Sequence, residues 1–252
     1  MRKLSRRKLI YTGLATTAGV AGLGVAARLA QKYGLVPPDH GGLYGPGATL
    51  TYATQRLLTR HSLAREFPRS LISPRPFPNY LNPLTEDFKR LQAGGFADWR
   101  LTVDGMVHEP ASFPISELKS YPSRSQITEV VCEEGWSYIA EWIGVPLSHV
   151  LNLVGVLPQA RYIVYVSMEP DTWDSIDMAD ALHPQTFLCY GMNGNDLPVP
   201  HGGPLRMRLP RQLGYKNTKF LNRITVTDDL KKFGKGLGCD VCEDGYAWYT
   251  GI

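Results

Sequence analysis

The residue with the clearest chemical potential is a cysteine at the end of a β-branched run. Cys132 follows residues 127–131 (ITEVV) and precedes the charged turn EEGW. No other Cys or His lies within ten residues of Cys132. This spacing argues against a zinc site, because such sites use paired Cys/His ligands. Glu133 and Glu134 should raise the pKa of this thiol unless a cation lies opposite. A soft transition metal is the partner that suits a thiolate at this position.

Two other roles for Cys132 stay open on these grounds. A lone cysteine is commonly a small buried hydrophobic residue. Cys132 could also serve a cofactor-free thiol enzyme, with His149 or His201 as the base. The two glutamates beside the thiol count against that enzyme.

The chain has three further cysteines. Cys189 lies inside an apolar run, which predicts a core position. Cys239 and Cys242 form a Cys-x-x-Cys pair on a glycine-rich tail, for which a disulfide is the simplest interpretation. A redox-active pair, a ligand pair completed by another subunit and two free thiols are the alternatives.

A basic segment provides the second candidate site. Residues 197–227 contain six Lys/Arg and no acid, and they include HGGPLRMRLPRQLGYK. Glycine N–H groups and guanidinium groups in one neighbourhood are typical of a phosphate site. The segment has neither the Walker pattern nor a dinucleotide-binding G-x-G-x-x-G. A thiolate for a soft metal and a basic segment for a phosphate together indicate a metal–pterin cofactor, with a non-catalytic exported anion-binding module as an alternative.

The charge distribution argues against a nucleic-acid partner. The net charge is +4, but the first 27 residues hold five Lys/Arg and no acid. Without them the chain has 22 basic and 23 acidic residues. We therefore expect no nucleic-acid role.

Residues 1–27 have the layout of an export signal. A basic start with Arg6 and Arg7 precedes a mildly apolar stretch and small residues at 25–27. This layout resembles a twin-arginine signal, which carries folded proteins out of the bacterial cytoplasm. An uncleaved helix that anchors the protein to the inner membrane is the alternative.

The rest of the chain divides into three segments. Residues 28–98 are rich in Pro and Gly and predict an extended arm with short helices, one of them in TRHSLAREFPRS. Residues 99–228 mix predicted strands and helices without a βαβ rhythm, which indicates an α+β fold with a mixed sheet. Within them we expect Ser116 to cap a helix, another helix to enter at Pro146, SIDMADALH to be helical and Asn193-Gly194 to form a hairpin turn. Residues 229–252 form a tail that we expect to pack on this domain.

Three stretches together resemble a known family. They are WRLTVDGMVHEPASFPISEL, VVCEEGWSYIAEWIGVPL and HPQTFLCYGMNGNDLPVPHGGPLRMRLPRQLGYKNTKFLNRITVTDD. In order and spacing they resemble the molybdopterin-binding domain of the sulfite oxidase family. The likeness is nearest to the bacterial exported branch that includes the periplasmic methionine sulfoxide reductase catalytic subunit. It covers roughly residues 60–228.

The resemblance implies a set of site residues. Cys132 would be the thiolate ligand of molybdenum. The pterin and its phosphate would be held by His201, Arg206, Gly214, Tyr215 and Lys216. Weaker candidates for cofactor contacts are His61, Arg65, Glu66, Asp174 and Ser175.

The resemblance also implies an activity and partners. The expected cofactor is molybdenum-molybdopterin, and the expected reaction is oxygen-atom transfer to or from a small molecule. Reduction of S- or N-oxides and oxidation of sulfite-like substrates both fit. The sequence encodes no haem-binding C-x-x-C-H. A membrane-bound haem protein or a soluble cytochrome would therefore exchange electrons with a periplasmic enzyme that the twin-arginine machinery has exported.

Overall fold

The structure is a computed structural model, and it describes residues 28–30 and 32–252. The predicted export signal at 1–27 lies outside the described residues. No helix in the described part of the chain is long and apolar enough to cross a membrane. The α-helices whose full bounds lie among these residues are α1 Gly45–Leu58, α2 Glu86–Ala93, α3 Ile115–Ser120, α4 Leu147–Val154 and α5 Met178–Ala181.

Within the described part of the chain, ten strands form two sheets. The strands are β1 Arg100–Gly105, β2 Ala111–Pro114, β3 Arg124–Val131, β4 Ser137–Pro146, β5 Tyr162–Ser167, β6 Trp173–Asp177, β7 Phe187–Met192, β8 Asn195–Asp196, β9 Arg206–Arg208 and β10 Leu221–Thr227. The first sheet has the order β2-β1-β10-β5-β6, and the second has the order β3-β4-β7-β8 with β9 also paired to β7. In the first sheet β1 and β10 run parallel while the other pairs are antiparallel. The predicted α+β fold with a mixed sheet is thus confirmed.

The sheets are held by a large apolar core and two smaller clusters. Leu101, Ile163 and Ile224 of the first sheet lie in the main core with Leu147 and Val150 of α4. On the second sheet, a smaller cluster contains Trp142 and Cys189, and Cys189 is fully buried as its apolar surroundings predicted. The burial of these side chains from water is the main force that fixes one sheet against the other.

The C-terminal tail packs on the outer side of the first sheet. Trp248 and Tyr249 join Tyr52 of α1 and Val164 of β5 in one buried cluster. Cys239 and Cys242 are linked by a disulfide within this cluster. The simplest interpretation of the Cys-x-x-Cys pair is the one that the structure contains.

Some local predictions differ from the structure. TRHSLAREFPRS ends in the first two residues of one 3₁₀ turn, Arg69–Leu71, and the arm forms its long helix just upstream, as α1. Tertiary contacts explain the difference. Helix α1 buries Tyr52 and Arg56 against the domain, whereas the Phe67 N–H donates to the Ile127 carbonyl oxygen of β3 and keeps the later stretch extended.

Two element boundaries also differ. Ser116 lies inside α3, whose N-cap is Pro114 and which has no side-chain cap. The predicted helix SIDMADALH is shorter than expected: its first three residues belong to β6, which pairs with β5 as far as Asp177, and α5 forms the helix over the next four residues. The Asn193-Gly194 hairpin is confirmed: both residues have positive φ and join β7 to β8.

Candidate functional site

Cys132 lies in the tight turn between β3 and β4. Its N–H donates to the Trp136 carbonyl oxygen at 2.9 Å, and its own carbonyl accepts from the Gly135 N–H at 3.1 Å. Gly135 has φ 88°, a conformation that favours glycine. The turn therefore fixes the thiol at the end of a two-stranded ladder, where the sequence placed it.

The Cys132 thiol faces two carboxylates. Its Sγ lies 3.3 Å from Glu133 Oε2 and 3.9 Å from Glu134 Oε2. Burial is the main cause that raises the pKa of the thiol to about 12, and Glu133 adds to the effect. The thiol stays protonated at neutral pH unless a cation replaces its proton.

Gly214 brings a second segment against this turn. A Cβ atom added to Gly214 would lie 3.3 Å from the Cys132 Cα atom and 3.4 Å from the Val131 carbonyl oxygen. Residues Gly214–Lys216 form a 3₁₀ turn, so the backbone passes directly beside the thiol. The glycine at this position permits a close approach that a side chain would obstruct.

A cleft of about 260 Å³ opens beside Cys132. One wall is aromatic: Trp136 stacks on Tyr138 with ring centroids 5.9 Å apart, and Phe77 meets Trp136 edge-on at 5.1 Å. The rest of the lining is mainly polar, and it includes Ser167, Glu169, Thr172, Arg206, Tyr215, Asn217, Thr218, Lys219 and Asp240. The cleft can therefore hold a molecule with both a planar and an anionic part.

Three cations lie at and behind the floor of this cleft, and we call Arg206, Arg208 and Lys219 the basic cluster. Arg206 and Arg208 are buried, and Lys219 is half-buried. The guanidinium groups of Arg206 and Arg208 lie 5.0 and 5.2 Å from the Trp142 ring centroid. In the described part of the chain, none of the three forms a salt bridge with a carboxylate. The cluster therefore carries positive charge without a carboxylate at salt-bridge distance.

Neutral oxygen atoms hold the basic cluster in place. Arg206 donates to the carbonyl oxygens of His201 and Asn217 at 2.8 and 2.9 Å. Lys219 Nζ donates to the carbonyl oxygens of Tyr80 and Pro200 at 2.6 and 2.7 Å. These bonds orient the cations without cancelling their charge.

The positive charges of the basic cluster repel one another, and this repulsion contributes to lowered pKa values. Burial, followed by Arg206, lowers the pKa of Lys219 to about 7, while Glu169 acts in the opposite direction. Burial is likewise the main cause that lowers the pKa of Arg208 to about 9. An anion in the cleft would relieve both effects, because an opposite charge favours the protonated forms.

Comparison with known proteins identifies the domain. Residues 90–233 match the family described as the oxidoreductase molybdopterin binding domain, which is more than half of the chain. The chain belongs to this family. The family predicted from the sequence is thus confirmed, and the protein is an oxidoreductase with a molybdopterin-binding domain.

Two curated relatives match different shares of this molybdopterin-binding oxidoreductase. A protein from Azospira oryzae, named as the protein-methionine-sulfoxide reductase subunit YedZ1, is 37% identical over 77% of this chain and 70% of its own. The protein-methionine-sulfoxide reductase catalytic subunit MsrP of Ralstonia nicotianae is 30% identical over 52% of this chain and 44% of its own.

A solved structure shares the fold. The sulfane dehydrogenase SoxCD of Paracoccus pantotrophus matches 53% of this chain and 39% of its own, with a TM-score of 0.51 and 24% identity. At this identity the likeness concerns the fold alone.

The structure brings part of the predicted site together. Cys132, Arg206, Gly214 and Tyr215 line one cleft of the molybdopterin-binding domain. His201 is buried beside them, and its Nδ1 lies 3.5 Å from the Tyr138 hydroxyl. Burial, followed by Arg206 and Lys219, lowers the pKa of His201 to about 4, so its ring is neutral at pH 7.

Three other predicted residues form a separate buried group. Lys216 Nζ bonds to Asp174 Oδ1 at 2.5 Å and to the Ser175 carbonyl oxygen at 3.0 Å. The Ser175 hydroxyl accepts from the Trp248 indole at 2.8 Å. Lys216 was predicted to help hold the pterin and its phosphate; its side-chain charge is paired with Asp174 beneath the C-terminal tail, and neither partner lines the cleft.

The predicted arm residues lie elsewhere. His61, Arg65 and Glu66 are exposed and do not line the Cys132 cleft. Their segment is held through Gln185, whose side chain bonds to the backbone N–H and carbonyl of Ala64 at 2.7 and 3.1 Å. The arm reaches the cleft further along, where it contributes Phe77, Asn79 and Tyr80.

Sequence reasoning missed several residues that line the cleft, namely Ser167, Glu169, Thr172, Asn217, Thr218, Lys219 and Asp240. Lys219 lies in the same acid-free segment as Lys216, and that segment was the signal that could have found it. Ser167 ends β5 as Cys132 follows β3, so it too could have been recognised as a strand-end position.

Proposed function

We propose that this protein is the catalytic component of an exported molybdenum enzyme that reduces S-oxides. Cys132 would supply the thiolate ligand of the metal, and the cleft beside it would hold the pterin. When bound, the molybdenum-pterin group supplies a two-electron centre for oxygen-atom transfer. The reaction would convert an S-oxide, two electrons and two protons into a sulfide and water.

The observation that carries this proposal is the uncompensated charge of the basic cluster. Buried cations without a carboxylate partner are costly unless a ligand neutralises them. Arg206 and Lys219 line the same cleft as the Cys132 thiol. A phosphate at the cations and a soft metal at the thiol are the two ends of one rigid cofactor.

The small number of possible protein ligands also supports a metal that is held mainly by a cofactor. Within residues 28–30 and 32–252, no group of three or more His, Cys, Asp or Glu side chains could hold a metal ion. Cys132 is thus a single candidate ligand. The remaining coordination would come from the pterin, leaving room for substrate.

The protein side chains would have distinct duties. Arg206 and Lys219 would bind the phosphate, and Asn217 and Thr218 would provide hydrogen bonds beside it. Gly214 would let the backbone approach the metal end closely, as it approaches Cys132. The neutral His201 ring would donate or accept a hydrogen bond without adding charge.

The charges near the thiol support S-oxides over sulfite. Glu133, Glu169 and Asp240 lie on the cleft wall with the aromatic side chains of Phe77 and Trp136. Carboxylates repel an anionic substrate, whereas an aromatic wall suits an uncharged methyl sulfoxide. Both curated relatives are named for protein methionine sulfoxide reduction, which supports the same substrate class.

Electrons would come from a separate protein. A two-electron reaction supplied by a haem protein proceeds in one-electron steps, and a membrane-bound haem protein or a soluble cytochrome would fit. The basic start with Arg6 and Arg7 supports export to the periplasm by the twin-arginine route.

The cofactor-free thiol enzyme has less support. His149 lies against Tyr121, with ring centroids 5.1 Å apart, and does not line the cleft. His201 has a pKa of about 4 and is therefore a weak base for the Cys132 thiol, whose pKa is about 12. A passive anion-binding module would use the basic cluster but would leave the Cys132 turn without a role.

The test is elemental analysis followed by an assay. Purified full-length protein should contain about one molybdenum and one pterin phosphate per chain, and it should turn over methyl sulfoxides faster than sulfite. Phosphate-containing ligand without molybdenum would favour the anion-binding module. Thiol-dependent turnover without any molybdenum would favour the thiol enzyme.

A further inference from the structure

The arm presents an apolar surface that the proposed chemistry does not use. Helix α1 turns Tyr52 and Arg56 inward, while Leu50 and Leu57, two turns apart, remain 70% and 68% exposed. Leu43, Tyr44 and Leu58 are also exposed. We call these five side chains, Leu43, Tyr44, Leu50, Leu57 and Leu58, the arm face.

The arm face contains no charge. Between residues 41 and 59 the one charged residue is Arg56, and it is buried against Asp177 and Asp180. The solvent side of α1 otherwise carries small or uncharged residues such as Gly47, Thr51 and Thr54. A surface helix normally places charged residues on its solvent side, so an uncharged leucine face marks an interaction surface.

The exposed charges nearest the arm face in sequence are mainly basic. In the described chain as far as Arg65 they are Arg28, Lys32, Arg60 and Arg65, and the first exposed carboxylate is Glu66. The carboxylate in that stretch, Asp39, is buried and accepts from the Trp248 N–H. An apolar centre with a basic border and exposed tyrosines matches the interface of an anionic bilayer.

The first described residues of the chain lie beside the arm face. Tyr33 and Leu57 line one cavity together with Arg60, so the segment that follows residue 27 meets the end of α1. Residues 9–27 are apolar and without charge in sequence. The part of the sequence best suited to lipid therefore joins the folded domain beside the arm face.

A second copy of the chain fits this surface less well. Two arm faces packed together would bring Lys32, Arg60 and Arg65 of each copy near the same side chains of the other. Like charges at the border of an interface oppose association. The same border attracts phospholipid headgroups.

We propose that the arm face binds the surface of an anionic phospholipid bilayer. Strand β5 separates this contact from the candidate site, since Tyr162 at its start lines the cavity beside α1 and Ser167 at its end lines the Cys132 cleft. Six residues of extended strand span roughly 17 to 20 Å. The bound protein would keep its cleft clear of the lipid, and membrane binding does not depend on the proposed chemistry.

The first test measures contact at one residue. The full chain with Leu57→Cys is labelled with an environment-sensitive fluorophore and mixed with vesicles of phosphatidylglycerol and phosphatidylcholine that carry a nitroxide on the acyl chains. The matched control is Leu153→Cys, an exposed leucine of α4 that lies outside the arm. The label at residue 57 should be quenched several-fold more than the label at 153.

This design separates the arm face from residues 1–27. If those residues alone attach the chain to vesicles, both labels will show equal quenching, and the proposal is overturned. Shielding of the label at 57 without vesicles, together with a dimer in sedimentation, would assign the face to a second copy and also overturn it. The unsubstituted chain treated with fluorophore measures any labelling of Cys132 and Cys189.

The second test measures binding itself. Leu50→Glu with Leu57→Glu should lower the vesicle-bound fraction about tenfold, because each change removes apolar contact and adds repulsion from anionic lipid. Leu153→Glu with Leu182→Glu should leave that fraction unchanged. Molybdenum content and turnover of a soluble substrate should be equal in both variants. Equal vesicle binding by the two double variants would contradict the proposal. An unsubstituted protein that contains no molybdenum would contradict only the proposed function.

Discussion

Two groups of buried arginines in this molecule differ in how their charge is balanced. Between α1 and α5, Arg56 and Arg211 are paired with Asp177 and Asp180. At the cleft, Arg206 in the wall and Arg208 behind it have only carbonyl, amide and hydroxyl oxygens as partners. The paired group joins the arm to the domain, while the unpaired group would face the cofactor phosphate under the proposed function. Both groups are buried, so the presence of a carboxylate partner, and not burial, is what distinguishes them.

The largest effect is expected where the paired charges are broken. Asp180→Ala would remove the acceptor of Arg56, Arg211 and Gln212 at once. We expect a loss of about 3 to 5 kcal/mol in the free energy of unfolding, because two guanidinium groups lose a buried partner. Denaturant unfolding of the cofactor-free chain measures it. Asp196→Ala, which breaks an exposed pair with Lys119, is the control and should have little effect.

In the basic cluster, we expect the loss of a charged side chain to weaken cofactor binding and to leave the stability of the fold intact. Lys219→Ala should lower the pterin phosphate retained per chain by about tenfold, since one direct charge contact is lost. The free energy of unfolding of the cofactor-free chain should not fall, because the change removes a half-buried charge that forms no salt bridge with a carboxylate in the described chain. Exposed Lys231→Ala is the control. A fall in stability with full cofactor retention would place Lys219 with the structural cations.

The same contrast gives a pH dependence. Burial lowers the pKa of Lys219 to about 7 in the folded chain, whereas the unfolded value is near 10.4. Between these values the unfolded chain binds more protons at this lysine, so the cofactor-free protein should gain stability as the pH rises from 7 to 10. Unfolding of wild type and Lys219→Met at several pH values tests the sign. An identical pH slope in the two proteins would show that Lys219 is not the source.

A smaller effect is expected at the disulfide. Cys239→Ser with Cys242→Ser should cost about 2 kcal/mol in the free energy of unfolding, because a short loop gains little from a cross-link. Molybdenum content and turnover should remain near those of the unsubstituted protein. Asp240 and Val241, between the two cysteines, line the cleft. Loss of electron transfer with molybdenum retained would show that the pair serves a redox step.

The sequence predicts the elements whose signals are local. The β-branched run before Cys132 and the Asn193-Gly194 turn each determine their own structure, so both features were found. Helix α1 was missed because its Gly, Pro and Thr residues are weak helix formers. Its stability comes from Tyr52 and Arg56, which bond to Asp177 more than a hundred residues away in sequence.

Within the site, the sequence alone likewise does not distinguish two neighbouring lysines. Lys216 and Lys219 lie three residues apart in one acid-free segment, and nothing local separates them. The 3₁₀ turn Gly214–Lys216 directs the first lysine to Asp174, while the second remains in the cleft wall. Composition identified the basic segment, but only the fold determines which cation has a carboxylate partner.

The central claim is that Cys132 binds the metal while the basic cluster separately holds the phosphate. X-ray absorption at the molybdenum edge, with phosphate analysis of the same samples, tests both parts in wild type, Cys132→Ala and the buried control Cys189→Ala. We predict that Cys132→Ala alone loses one sulfur from the metal shell, and that pterin phosphate bound to its basic cluster is retained. An unchanged sulfur shell in Cys132→Ala would contradict the account.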